Sequence, residues 1–403
     1  MYKKILNLFL EIKENARFNI KPTDQVYRTF NYDAVVFDGI KSVNIFNENI
    51  DAILNSDKEI SGTLSKETVI KEVIQMIYDS YNNKIEISEK GIFDFWVNLK
   101  SKEIIEFEIL RKMDNVKLDS SEPYVLGPFT FYNLECHMGA IYNRYPEIKS
   151  EIEKYAITIN SDVWVSVKVS ARDIKKSRYL ADLQFNKLEN ILRYMIGDIS
   201  GKNNIGILDF KGAEIKRTLI LSHKIFSNAN NLIGPINIVD IRDDFFINQN
   251  GNKRIWDILK QNNASDLEHK ILNSIEWTGK GLNEMDNSKA FIQFFFAIEA
   301  LLTYNDGDMI SPSIANSISE TISFILCDKL KDRLEMEKII KNLYKKRSAI
   351  VHGRASANLQ ESDLITTYHI ANSLVVILLN SSEYKCFKSN KELHEWVKEK
   401  KYS

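Results

Sequence analysis

Strand signals stop at Asn248-Gln-Asn-Gly-Asn252, and this change of period constrains the fold more than any other feature of the chain. Beyond that polar, glycine-broken stretch the apolar residues recur only at helical spacing, which predicts helices over 266–284, 288–304, 313–326, 332–352, 363–379 and 391–400. The short connections are those of an up-and-down bundle.

Before residue 248 the pattern is mixed. Apolar runs between Asp, Asn and Gly breaks predict strands within 25–46 and at 92–97, 104–110, 205–210, 215–221 and 236–241. Leu126-Gly-Pro-Phe129 marks a turn into another strand, and Val163-Trp-Val-Ser-Val-Lys-Val169 alternates strictly, as a strand with one wet face does. Helices are expected over 65–81 and behind Ser170, which with Asp173 three residues on has the form of a capping box. Ala181, Phe185, Leu188, Leu192 and Met195 give the second helix one buried stripe, and Gly197 closes it. The expected fold is therefore an α+β N-terminal domain over 1–247, a linker at 248–252, and an all-α helical bundle over 253–403.

One stretch of the bundle concentrates chemistry: Tyr344-Lys-Lys-Arg-Ser-Ala-Ile-Val-His-Gly-Arg354. Arginine is a permanently charged fork suited to phosphate oxygens, and histidine can take and give a proton near neutral pH. Those are the two jobs that cleaving a phosphodiester requires. Residues five apart on a straight helix point ~140° away from each other, so Arg347 and His352 of one chain grip a single phosphate poorly. Gly353 is placed to end the helix in the left-handed conformation, with His352 on the last turn, and a second copy across a two-fold axis would complete the site.

The segment Arg347-Ser-Ala-Ile-Val-His352, followed by Gly353, resembles the Arg-x4-6-His signature of the Apea-like HEPN domains (higher eukaryotes and prokaryotes nucleotide-binding). Trp277 and Phe291-Ile-Gln-Phe-Phe-Phe-Ala-Ile-Glu-Ala-Leu-Leu302 resemble the preceding helices of that family, so the likeness covers the last ~150 residues, one domain length. Many active members carry Asn, Asp or His after the arginine, where this chain has Ser348. The resemblance implies a metal-independent endoribonuclease that leaves 2′,3′-cyclic phosphate and 5′-hydroxyl ends and acts as a homodimer. Arg347 and His352 would be catalytic, Glu299 and Ser348 supporting, and Lys345, Lys346 and Arg354 would hold RNA, with neither metal nor cofactor. It further implies antiphage defence by abortive infection, with residues 1–247 as a sensor or regulatory domain answering a phage-derived trigger. The competing class is a non-catalytic helical module that binds nucleic acid or protein.

Composition narrows the partners. Lys+Arg of 54 against Asp+Glu of 55 leaves a formal charge of -1, so any affinity for RNA must be local. Cys136, Cys327 and Cys386 have no repeating spacing, which suits a reducing cytoplasm and excludes a disulfide framework. The apolar start of the chain is broken by Asn7 and Glu11, and no window is expected to approach the ~18 apolar residues of a membrane span.

Other candidates carry less. Glu299, in a helix apolar almost all round, needs a partner, and Arg347 is the expected one. Thr278-Gly-Lys-Gly281 reads as a helix break or bend. Cys136-His137 lacks a second ligand pair for zinc, and Asp209-Phe-Lys211 on a strand matches two positions of a metal-dependent nuclease core.

Overall fold

A computed structural model describes residues 2–19, 29–32, 35–156, 162–261, 263–303, 314–353 and 358–402. The chain divides into two compact units, one of Met1–Ile109 with Lys168–Asp182, the other of Leu110–Val167 with Leu183–Ser403.

The first unit contains α1 (Tyr2–Glu14), β1 (Arg17–Phe18), β2 (Thr29–Tyr32), β3 (Val35–Asp38), α2 (Ile40–Asn55), α3 (Lys58–Thr63), α4 (Lys66–Tyr81), α5 (Glu89–Ser101) and the start of β4 (Ile105–Lys112). Its small antiparallel sheet has the order β1-β3-β2. Phe9, Phe37, Phe46, Ile50, Val73, Ile77 and Trp96 form its core. Residues 92–97, expected as a strand, are helical. Ile92, Phe95, Trp96 and Leu99 are buried at helical spacing, and the Ser88 hydroxyl accepts from the Gly91 N–H at the N-cap. The expected strands of 25–46 are likewise cut short, because Val43, Ile45 and Phe46 belong to α2; residues 25–28 lie outside the described residues.

The chain continues through β5 (Val116–Lys117), β6 (Tyr124–Leu126), β7 (Phe129–Asn133), α6 (Leu134–Arg144), α7 (Lys149–Ala156), β8 (Val163–Ala171), α8 (Ile174–Ile196), β9 (Glu214–Leu221), β10 (Phe226–Ile233) and β11 (Val239–Asp240). Strands β4-β8-β7-β6 form a four-stranded sheet in that order. Asp173, not Ser170, caps α8, since its Oδ1 accepts from the Lys176 N–H at 2.7 Å. Residues 205–210 are not a strand. The N–H groups of Ile207, Leu208 and Asp209 turn inward to one oxygen of Glu189, which ladder pairing would forbid. Of 236–241 only Val239–Asp240 pairs.

The remaining elements are helical: α9 (Phe245–Asn248), α10 (Asn252–Lys260), α11 (Asp266–Asn283), α12 (Asn287–Leu302), α13 (Ile314–Leu326), α14 (Leu330–Val351), α15 (Glu361–Asn380) and α16 (Asn390–Tyr402). The stretch read as a linker is a tight turn inside the second unit. Asn250 and Gly251 both adopt positive φ (52° and 80°), and buried Asn252 donates to the Phe245 carbonyl at 2.7 Å. Helix α15, against expectation, is long and apolar enough to cross a membrane by length and composition, with a mean hydropathy of 1.4. Its Leu364, Tyr368, Ala371, Leu374, Val375 and Leu378 are buried in the protein, and it packs against α11, α12 and α13.

The two glycines of Thr278-Gly-Lys-Gly281 do not break α11; they let it pack closely. A Cβ at Gly279 would stand 2.0 Å from the Asn190 carbonyl oxygen on α8, and one at Gly281 2.4 Å from the Phe294 ring. Gly279→Ala is therefore expected to destabilise the second unit by about 1–3 kcal/mol or more, because backbone must give way. An unchanged urea midpoint would show that α8 and α11 are not packed this tightly.

Candidate functional site

Helices α12 and α14 each carry an aromatic residue and a charged one three positions later, Phe296 with Glu299 and Tyr344 with Arg347, and this spacing puts each pair on one helix face. The faces meet. Arg347 Nη2 donates to Glu299 Oε2 at 2.9 Å, and the guanidinium lies 5.4 Å from the Phe296 ring centre and 5.9 Å from that of Tyr344. Trp277 on α11 meets Phe296 edge-on at 5.1 Å, and Lys280 lies 4.4 Å above the Trp277 ring. Arg347 is thus held between aromatic faces and a carboxylate, a geometry that orients a guanidinium. Among the described residues its buried Nε has no hydrogen-bond partner.

Burial pushes the Glu299 carboxyl above the usual carboxylate range, and the Arg347 charge offsets only part of that. The contact expected for Glu299 is present. The rings were missed, although the three-residue spacing on both helices was a readable signal.

Helix α14 ends at Val351, with exposed His352 as its C-cap and Gly353 following at φ 66°. The His352 N–H donates to the Ser348 carbonyl and that of Gly353 to the Ile350 carbonyl, closing the last turn. Among the described residues no hydrogen bond or ion pair joins Arg347 to His352. One faces α12 and the other stands at the open helix end.

Lys346 is engaged, donating at 2.6 Å to Asp363 Oδ2, which also accepts from the Gln360 N–H at the start of α15. Nothing in the sequence distinguished it from exposed Lys345. Ser348 is half-buried, and Arg354 lies outside the described residues.

The other sequence candidates have structural explanations. Buried His137 accepts from the Asn133 N–H and contacts the Ser120 carbonyl. Asp209 lies on a loop and accepts from Asn283 at 2.9 Å. Among the described residues no three His, Cys, Asp or Glu side chains cluster as metal ligands would. No protein-family model matches the chain, and neither a curated protein nor a solved structure matches it.

Proposed function

We propose that the helical region is a metal-independent HEPN-type endoribonuclease whose site draws on two copies of the chain. The observation that carries this reading is an oriented arginine, Arg347, on the same helix whose exposed end presents His352. The ribose 2′-hydroxyl attacks the adjacent phosphorus and the bond to the 5′-oxygen breaks, leaving a 2′,3′-cyclic phosphate and a 5′-hydroxyl. His352 takes the proton from the 2′-hydroxyl or gives one to the departing 5′-oxygen, while Arg347 holds the charge that builds on the phosphoryl oxygens. Lys345 draws in the strand through its phosphates. DNA, without the 2′-hydroxyl, is inert. The wider setting we propose is cytoplasmic antiphage defence, in which the N-terminal part senses a phage-derived trigger or restrains the site.

The test is cleavage of a fluorescent RNA by purified protein in chelator, with DNA beside it. His352→Ala is expected to keep the parental melting curve and lose about 10²–10⁴-fold in rate, the usual contribution of general acid–base catalysis. Parental cleavage by His352→Ala would remove this assignment. A non-catalytic helical module remains the second reading, favoured by one observation: Arg347 already has a carboxylate partner. RNA binding or pairing without cleavage, indifferent to His352, would support it.

A further inference from the structure

Among the described residues strands β9 and β10 pair only with each other, in register from Glu214 with Ile233 to Leu221 with Phe226, and the turn closes through Ser222 N–H to the Ile225 carbonyl at 2.9 Å. Residues directly opposite in an antiparallel pair share a face. One face of this hairpin therefore carries Ile215 with Leu232 at the base, Arg217 with Asn230 and Leu219 with Asn228 in the middle, and Leu221 with Phe226 at the tip. The opposite face is the more polar one, where Glu214, Lys216, Thr218, Ser227 and Asn231 outnumber Ile220, Ala229 and Ile233.

The five apolar side chains of the first face are 55% to 71% exposed. A solitary two-stranded hairpin is marginal in water, and edge strands with apolar residues invite pairing. Together these five expose roughly 600 Å², as much as the largest apolar patch of a typical monomer, and with exposed Arg217, Asn228 and Asn230 the face approaches the roughly 800 Å² per partner of a standard specific interface.

We propose that the apolar face of the β9–β10 hairpin is a homodimer interface, covered by the same face of a second copy. Along the face the rows run apolar, polar, mixed and apolar. A two-fold axis running along the strands, between the two stacked faces, sets each row on the same row of the other copy, so that Leu221 meets Phe226 at the tip and Ile215 meets Leu232 at the base. The same axis brings Arg217 of each copy to Asn230 of the other, so the guanidinium meets an amide oxygen. An isologous contact needs this self-complementarity. The two hairpins stack as layers about 10 Å apart. A lipid surface fits worse, because insertion would carry Arg217, Asn228 and Asn230 into hydrocarbon without partners.

This inference does not rest on the ribonuclease reading, and its test reads mass, not cleavage. The full chain is measured by light scattering after gel filtration and by sedimentation over a hundredfold range of concentration. The parent is expected to be a dimer. Leu221→Ser with Phe226→Ser is expected to halve the molar mass while leaving the circular dichroism spectrum and melting curve of the rest of the chain in place. The polar-face variant Thr218→Glu with Asn231→Glu is expected to stay dimeric. A parent monomeric throughout, a Leu221→Ser/Phe226→Ser chain that still dimerises with parental affinity, or flotation of the parent with phosphatidylcholine–phosphatidylserine vesicles that this variant abolishes would each overturn the proposal.

Discussion

Glu189→Ala is expected to lower the stability of the second unit by about 3–5 kcal/mol, the usual cost of removing one partner from a buried ion pair. Glu189 is 1% exposed, and Arg193, one helical turn on, is 4% exposed. Their closest atoms are 3.4 Å apart, and the same Glu189 oxygen accepts from the backbone of Leu208 at 3.1 Å and Asp209 at 3.3 Å, as well as from Ile207. Arg193 in turn donates to the carbonyls of Ile205 and Asp209 and to the Asn204 side chain, each at 3.1 Å. Burial pulls the Arg193 pKa down, and the Glu189 charge works against that pull. Alanine at 189 therefore leaves the buried Arg193 charge without its carboxylate and three part-buried N–H groups without their acceptor. Glu189→Gln, which keeps an oxygen for the N–H groups, is expected to lose less. Urea unfolding followed by tryptophan fluorescence measures both, and a Glu189→Ala midpoint equal to the parent's would sink the account.

That network shows where the sequence falls silent. Glu189 and Arg193 are spaced like any solvated i,i+4 pair on a helix, and only the loop folding over them makes the pair internal. Residues 205–210 carry strand-forming types, yet their N–H groups bond to a helix side chain, a long-range choice no local pattern encodes. The same holds for residues 92–97, whose aromatics favour strands until the burial of Ile92, Phe95, Trp96 and Leu99 reveals the helical period. The C-terminal helices were legible because their apolar spacing runs for three turns or more: the reading 266–284 meets Asp266–Asn283, and 391–400 lies inside Asn390–Tyr402. Within the candidate site, the partnership of Glu299 and Arg347 was readable from the cost of a carboxylate among apolar residues. That Lys346 turns to Asp363 was not, because the two residues lie on different helices and no local pattern pairs them. For β9 the strand was legible and its lack of cover was not, since alternation says which face is apolar and never what lies on it.

Glu299→Gln separates a positioning role for Glu299 from a scaffolding one, and cleavage is expected to fall about tenfold or more for the loss of one charge-assisted hydrogen bond, while stability near neutral pH does not fall. The sign follows from linkage. The carboxyl has a raised pKa in the folded chain, so the folded state binds its proton more tightly than the unfolded state does. The stability this contributes is fully present below the unfolded pKa and is lost as pH rises through the folded one. Once ionised, the carboxylate, with 18% of its side chain exposed beside an arginine with 19%, is a net cost that glutamine removes. Glutamine still offers an oxygen to Arg347 Nη2, so the pair of rings and the helix contact stay filled. What it lacks is the charge that fixes the guanidinium, and since in the proposed mechanism Arg347 acts on charge that builds in the transition state, the loss should fall on kcat with little change in KM. Melting curves at pH 4 and pH 7 should show the variant gaining on the parent as pH rises. If Glu299→Gln instead loses stability at pH 7 in step with activity, the pair is scaffold; if it cleaves at the parental kcat, Arg347 does not depend on Glu299 for its position.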